Sequence, residues 1–172
     1  MEKFANILNT YSGMLLESLG QTMLLTLLSL IFAFIIGLIF GLMNVSKKRV
    51  LNFIGTVYVD AVRGVPLIVL AYFIYFGIPA GVKAIGFTDF RLPALQAGTI
   101  ALSMNAGAYM AEIFRAGIQS VDKGQMEAAR SLGLGYGKAM QKVVLPQAIR
   151  TMVPSIINQF IISLKDTSIL SV

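Results

Sequence analysis

Polar side chains are scarce in the long apolar stretches of this chain, and the few present are spaced to share helix faces. Asn105, Tyr109 and Glu112 recur at i, i+4 and i+7, and Thr99 and Ser103 form a second row. Asn158 and Gln159 follow later, with Lys165 and Asp166 nearly two turns beyond them. Groups placed this way either hydrogen-bond a polar solute crossing an apolar medium or tie one helix to another. Enzymatic chemistry is poorly supplied. There is no cysteine and no histidine, which removes disulfides, thiolate nucleophiles, and the commonest general base and metal ligand. GLGYGKA, Gly133 to Ala139, looks like a phosphate-binding loop but fails in detail: three residues rather than four separate Gly133 from Gly137, and Ala139 stands where a hydroxyl must reach magnesium. No catalytic residue, metal or bound nucleotide is expected.

The elements that position these residues follow from composition. The chain has 172 residues, 56% hydrophobic and 13% charged, with a mean hydropathy of +0.78; soluble domains carry about a quarter charged residues. The expected class is therefore an all-α integral membrane protein. A helical one-face pattern at Phe4, Ile7, Leu8, Tyr11, Met14 and Leu15 reads as an interfacial helix lying on the membrane, the alternative being a frayed start to the next helix. Leu19 to Met43 carries no charge and would reach roughly 37 Å as a helix, enough to cross the hydrocarbon. Gly37 and Gly41 in this span either admit a close backbone or reflect ordinary glycine tolerance. Further spans are expected over Phe53 to Gly77, Leu92 to Ala111 and Thr151 to Val172, with an external loop from Ile78 to Arg91. Asp60 with Arg63, and Glu112 with Arg115, are spaced to pair at i, i+3 near the cytoplasmic end.

Charge sets the orientation. Lys47, Lys48, Arg49, Arg115, Lys123, Arg130, Lys138, Lys142 and Arg150 fall in two connections, against Lys3, Lys83 and Arg91 on the other side. The nine-to-three excess places those connections in the cytoplasm and the amino terminus outside. Basic residues in the connections between apolar runs meet anionic lipid, so no nucleic-acid partner is expected.

The connection from Arg115 to Arg150 is long for a membrane bundle, which implies a partner outside the membrane. Within it, DKGQMEAARSLGLGYGKAMQKVV (Asp122 to Val144) reads as a helix over Gln125 to Leu132, a turn at Gly133 through positive φ, and a second amphipathic helix ending before Pro146.

Glu127, Ala128 and Ala129, then Gly133, then Leu145 and Pro146, resemble the EAA loop of ABC importer permeases, with Val143 where that pattern prefers isoleucine. Ser103 to Gly133, Val144 to Arg150, Asn158 to Leu170, and the RGVP run at Arg63 to Pro66 resemble polar amino-acid permeases of the histidine and glutamine type. The resemblance implies one transmembrane permease domain over 1–172, a helical bundle of the type I ABC importer permease kind. Four spanning helices are legible, and a fifth that the family has is missing, so a C-terminally incomplete chain is expected. The 115–150 loop would couple to a separate ATPase subunit through Glu127, Ala128, Ala129, Gly133, Leu145 and Pro146, with ATP and Mg held by that partner. A second permease subunit, homologous or identical, and an extracytoplasmic substrate-binding protein are further expected partners, in a bacterial inner membrane. Asn105 and Gln159 are the first candidates for contact with an amino-acid substrate, with Thr99 and Ser103 behind them. Lys165 and Asp166 fit a gate or an internal ion pair. An ion-coupled secondary transporter or channel is the alternative; it would explain the buried polar groups but needs no such loop.

Overall fold

A computed structural model describes residues 2–87 and 89–171, with side chains from residue 10 to 170 apart from 88. Every regular element among them is helical: α1 (Glu2–Val45), α2 (Arg49–Gly64), α3 (Leu67–Tyr72), α4 (Ile78–Ala84), α5 (Ala94–Gln119), α6 (Lys123–Ser131), α7 (Tyr136–Ala139) and α8 (Leu145–Asp166), followed by a 3-10 turn over Thr167–Ser171. Single π turns, Phe73–Gly77 and Met140–Val144, join α3 to α4 and α7 to α8.

The expected separate interfacial helix is replaced by the first turns of α1, whose backbone runs unbroken from Glu2 to Val45. Phe4, Ile7 and Leu8 lie outside the described side chains; Tyr11, Met14 and Leu15 are exposed. No proline or left-handed glycine interrupts the segment, so nothing in it turns the chain.

The second expected span is also revised. α2 stops at Gly64 because Val65 and Pro66 are extended; proline disfavours helical geometry in the residue before it. The apolar helix starts afresh at Leu67 and continues to Ala84, through the first half of the segment expected to be an external loop. Pro79 does not stop it, because it falls in the first positions of α4, just after the π turn. The helix ends at Gly86, whose φ of +109° lets its N–H bond to the Lys83 carbonyl and that of Phe87 to Val82.

The stretches Thr10–Val45 and Leu67–Ala84 are long and apolar enough to cross a membrane. Only 22% and 6% of their most apolar windows is buried, so they are not core helices of a soluble protein. Their exposed leucine, isoleucine and phenylalanine side chains suit hydrocarbon as solvent.

α5 is the central helix. It is lined with small buried residues, including Ala97, Ala101, Ala106, Gly107, Ala108 and Ala111, which let neighbouring backbones come close. α1 lies along it where Gly37 and Gly41 face Gly107, Met110, Ala111 and Phe114. Phe34 meets Phe114 edge to face at 5.3 Å. α8 joins the same contact through a cluster of Met110, Phe114, Ala148 and Met152, against which Leu30 of α1 also packs. α2 is tied in by the Tyr58 hydroxyl, which donates to the Met104 carbonyl at 2.9 Å while its ring stacks on Phe40.

Candidate functional site

Two regions carry the polar residues singled out by spacing: a cavity within the bundle and the capped loop beyond its end. The cavity, about 460 Å³, lies between the α2–α3 break, α5 and α8, and is lined by Arg63, Asn105, Tyr109, Gln159, Ile162 and Asp166 with the Gly64–Leu67 segment. Asn105 and Gln159 thus line one cavity, though they are 54 residues apart in sequence. Both are almost fully buried, at 6% and 4% exposed. Their amides are the groups such a space requires, since each offers both a donor and an acceptor to a polar solute. The Gln159 amide donates to Ser163 Oγ at 3.4 Å, a long bond that holds it weakly.

Thr99 and Ser103 are placed differently. Their hydroxyls donate to the Leu95 and Thr99 carbonyls at 2.7 and 2.5 Å, within α5 itself. Ser29 on α1 donates to the Thr99 carbonyl at 3.4 Å, so this row faces α1 and not the cavity. Asp166 borders the cavity, whereas Lys165 is exposed. No ion pair joins them among the described residues, since neighbours on a helix diverge by about 100°.

Sequence spacing left Arg63 to Asp60 and missed its place in the cavity. No Asp60–Arg63 ion pair forms among the described residues; Arg63 instead crosses to α5, 4.0 Å from the Glu112 carboxylate and with its guanidinium 5.1 Å from the Tyr109 ring centre. The sequence signal was Val65-Pro66, which ends α2 just after Arg63. Glu112 and Arg115 pair as spaced. The guanidinium grips both carboxylate oxygens, with Nε to Oε2 at 3.0 Å, and also donates to Gln119 at 2.7 Å. A second, charged cavity of about 380 Å³ opens here, lined by Asn44, Asn52, Thr56, Asp60, Arg63, Glu112, Arg115 and Gln119.

In the loop, α6 is defined by its ends. Asp122 caps the start, its carboxylate accepting the Gly124 N–H at 2.6 Å. Gly133, at φ +86°, ends it: its own N–H bonds to the Arg130 carbonyl, and that of Leu134 to Ala129, at 3.0 and 3.2 Å. Ala129 is buried under the helix; Glu127, Ala128 and Gly133 are exposed, and Leu132 projects with 85% of its surface free. Leu145 is half-buried and Pro146 exposed. Pro146 does not end the second helix as expected. The π turn over Met140–Val144 widens the helix just before the ring, and the chain continues helical to Asp166.

A polar cavity walled by helices whose outer faces are apolar defines a membrane transport component. Residues 33–172 match the family model described as "Binding-protein-dependent transport system inner membrane component". The probable glutamine ABC transporter permease protein GlnM of Bacillus subtilis (strain 168) is 41% identical over 93% of this chain and 71% of its own length. The arginine transport system permease protein ArtQ of the same organism is 38% identical over 92% of this chain and 69% of its own. Among solved structures, an amino acid ABC transporter crystallised with histidines superposes with a TM-score of 0.85 at 39% identity, over 95% of this chain and 73% of that one. The inward-facing MetNI methionine ABC transporter, at 22% identity and a TM-score of 0.75, shares the fold. The chain belongs to the family of binding-protein-dependent transport system inner membrane components, with the role of an ABC importer permease subunit rather than of an ion-coupled carrier or channel.

Proposed function

We propose that this chain forms the translocation path of an ATP-driven amino-acid importer and couples it to a separate ATPase through the 115–150 loop. The observation that carries the reading is α6: a short helix, fixed at Asp122 and Gly133, that presents Glu127, Ala128 and Leu132 to the outside. An 85% exposed leucine beside a small alanine is a poor solvent face and a good fit for a groove on another protein. Glu127 adds a charge-assisted contact, and Leu145 and Pro146 carry movement of the loop into α8.

In this reading ATP and magnesium are held by the partner, and this chain performs no hydrolysis. An extracytoplasmic binding protein delivers the substrate, a second permease subunit completes the path, and closure of the ATPase pair moves α6 so that access alternates. Asn105 and Gln159 bind the amino acid, and Asp166 faces its ammonium group. Four helical passes in a bacterial inner membrane, with the amino terminus outside, agree with the basic residues of the two inner connections.

The test is co-expression with the partner ATPase subunit, comparing the native chain with Glu127→Lys and Gly133→Asp. The reading expects co-purification with the native chain and loss of assembly or of transport-linked hydrolysis in both variants. Unchanged hydrolysis in both would overturn the loop's role.

A further inference from the structure

The two cavities meet at one side chain. Among the described residues Arg63 alone lines both the neutral space around Asn105 and Gln159 and the charged space around Asp60, Glu112 and Arg115. We infer that Arg63 is a positioning residue of the transport cycle: clasped to α5 it closes the passage between the cavities, and released from α5 it opens it. The inference rests on reading the neutral cavity as the solute path.

Its placement suits that task. Arg63 sits in the last turn of α2, where the helix end favours a cation, and immediately before the extended Val65-Pro66 break. Both of its partners, Tyr109 and Glu112, lie one turn apart on α5, so a single side chain bridges two helices. Neither hold is strong. A 4.0 Å approach is at the limit of an ion pair, and the Arg63 and Glu112 side chains are 38% and 31% exposed. Glu112 is gripped by Arg115 on its own helix and stays in place when Arg63 leaves. The bond that opens is therefore the one between helices.

The link to the loop is direct. α5 ends at Gln119, which Arg115 also holds, and α6 begins four residues later. Displacement of α6 by a partner pulls on the end of α5 that carries Glu112 and Arg115. The positive charge at the neck also meets any solute carboxylate leaving the neutral cavity, giving Arg63 a favourable partner once it lets go of Glu112.

Because the chain has no cysteine, a single introduced thiol reports access without background from this subunit. Ile162→Cys places it in the neutral cavity. In the assembled complex with its ATPase, in inside-out vesicles, a charged membrane-impermeant thiol reagent is added to the cytoplasmic face and labelling of this chain is timed with and without L-glutamine or L-arginine. Adding Arg63→Ala is expected to speed labelling about tenfold, the size set by one partly exposed cation–π contact and one weak ion pair. Glu112→Gln, which loosens the clasp from the other side, is expected to act in the same direction and serves if Arg63→Ala does not assemble. Labelling that is unchanged in these variants, yet slowed by the amino acid, overturns the gate and leaves the solute path standing. Labelling that neither amino acid slows in any form overturns both.

Discussion

Gly37→Ala adds one methyl group where α1 and α5 are closest. The new Cβ would stand 2.4 Å from Met110 Cβ, 3.1 Å from the Ala111 nitrogen and 3.2 Å from the Gly107 carbonyl oxygen. All three are backbone atoms or the first side-chain carbon, so no rotamer change relieves the clash. Carbon pairs rest at about 3.5–4.0 Å, so the helices must part by about 1 Å at this point. Overpacking of this kind costs about 1–3 kcal/mol, offset in part by the better helix propensity of alanine, about 1 kcal/mol. The net expectation is a loss of up to about 2 kcal/mol. Gly20→Ala is the control, because nothing lies within 4 Å of its added Cβ; it should gain about 0.5–1 kcal/mol from backbone entropy alone. Unfolding of the purified chain by sodium dodecyl sulfate in mixed micelles, followed by helical circular dichroism, reads both. Opposite signs are expected. If Gly37→Ala is as stable as Gly20→Ala, α1 and α5 do not pack through this notch.

Gly133→Ala meets no neighbour within 4 Å, so its cost is the left-handed backbone alone, about 1–2 kcal/mol; amide exchange at Leu134, whose N–H bonds to Ala129, should rise at least fivefold. Asp122→Ala removes the cap on Gly124 and should destabilise the start of α6 by about 0.5–2 kcal/mol, seen as faster exchange of Gly124 and Gln125. Asn105→Ala and Gln159→Ala should each raise the half-saturating amino-acid concentration by about five- to tenfold through loss of one buried hydrogen bond. Thr99→Ala should change it little, since that hydroxyl is satisfied by the Leu95 carbonyl.

Much of the architecture was legible because membrane insertion and helix capping are local physics. The charge-free run from Leu19 marked α1, and Gly133 marked the end of α6, since only a residue without Cβ takes φ of +86° readily. Asn105 and Gln159 stand out as scarce polar residues in apolar runs, and both line the cavity. What sequence spacing could not reach was set by tertiary geometry. Thr99 and Ser103 belong to the same helix as Asn105, but which face met α1 and which met the cavity depended on packing. Arg63 had an acidic neighbour at the right spacing, yet its partner came from α5. The prolines misled in both directions. Pro66 broke an expected span and Pro146 failed to break a helix, because a π turn ahead of it made room for the ring.

In the proposed mechanism, ATP hydrolysis in a partner drives movement through this chain by way of α6. The most direct measurement is uptake of radiolabelled L-glutamine, L-arginine and L-cystine into proteoliposomes holding the complete complex, with ATP enclosed and the binding protein outside. The account predicts uptake of at least one of them that needs ATP, stops with vanadate and is lost in Glu127→Lys. Uptake that persists without ATP while an ion gradient is maintained, and is indifferent to Glu127→Lys, would contradict it.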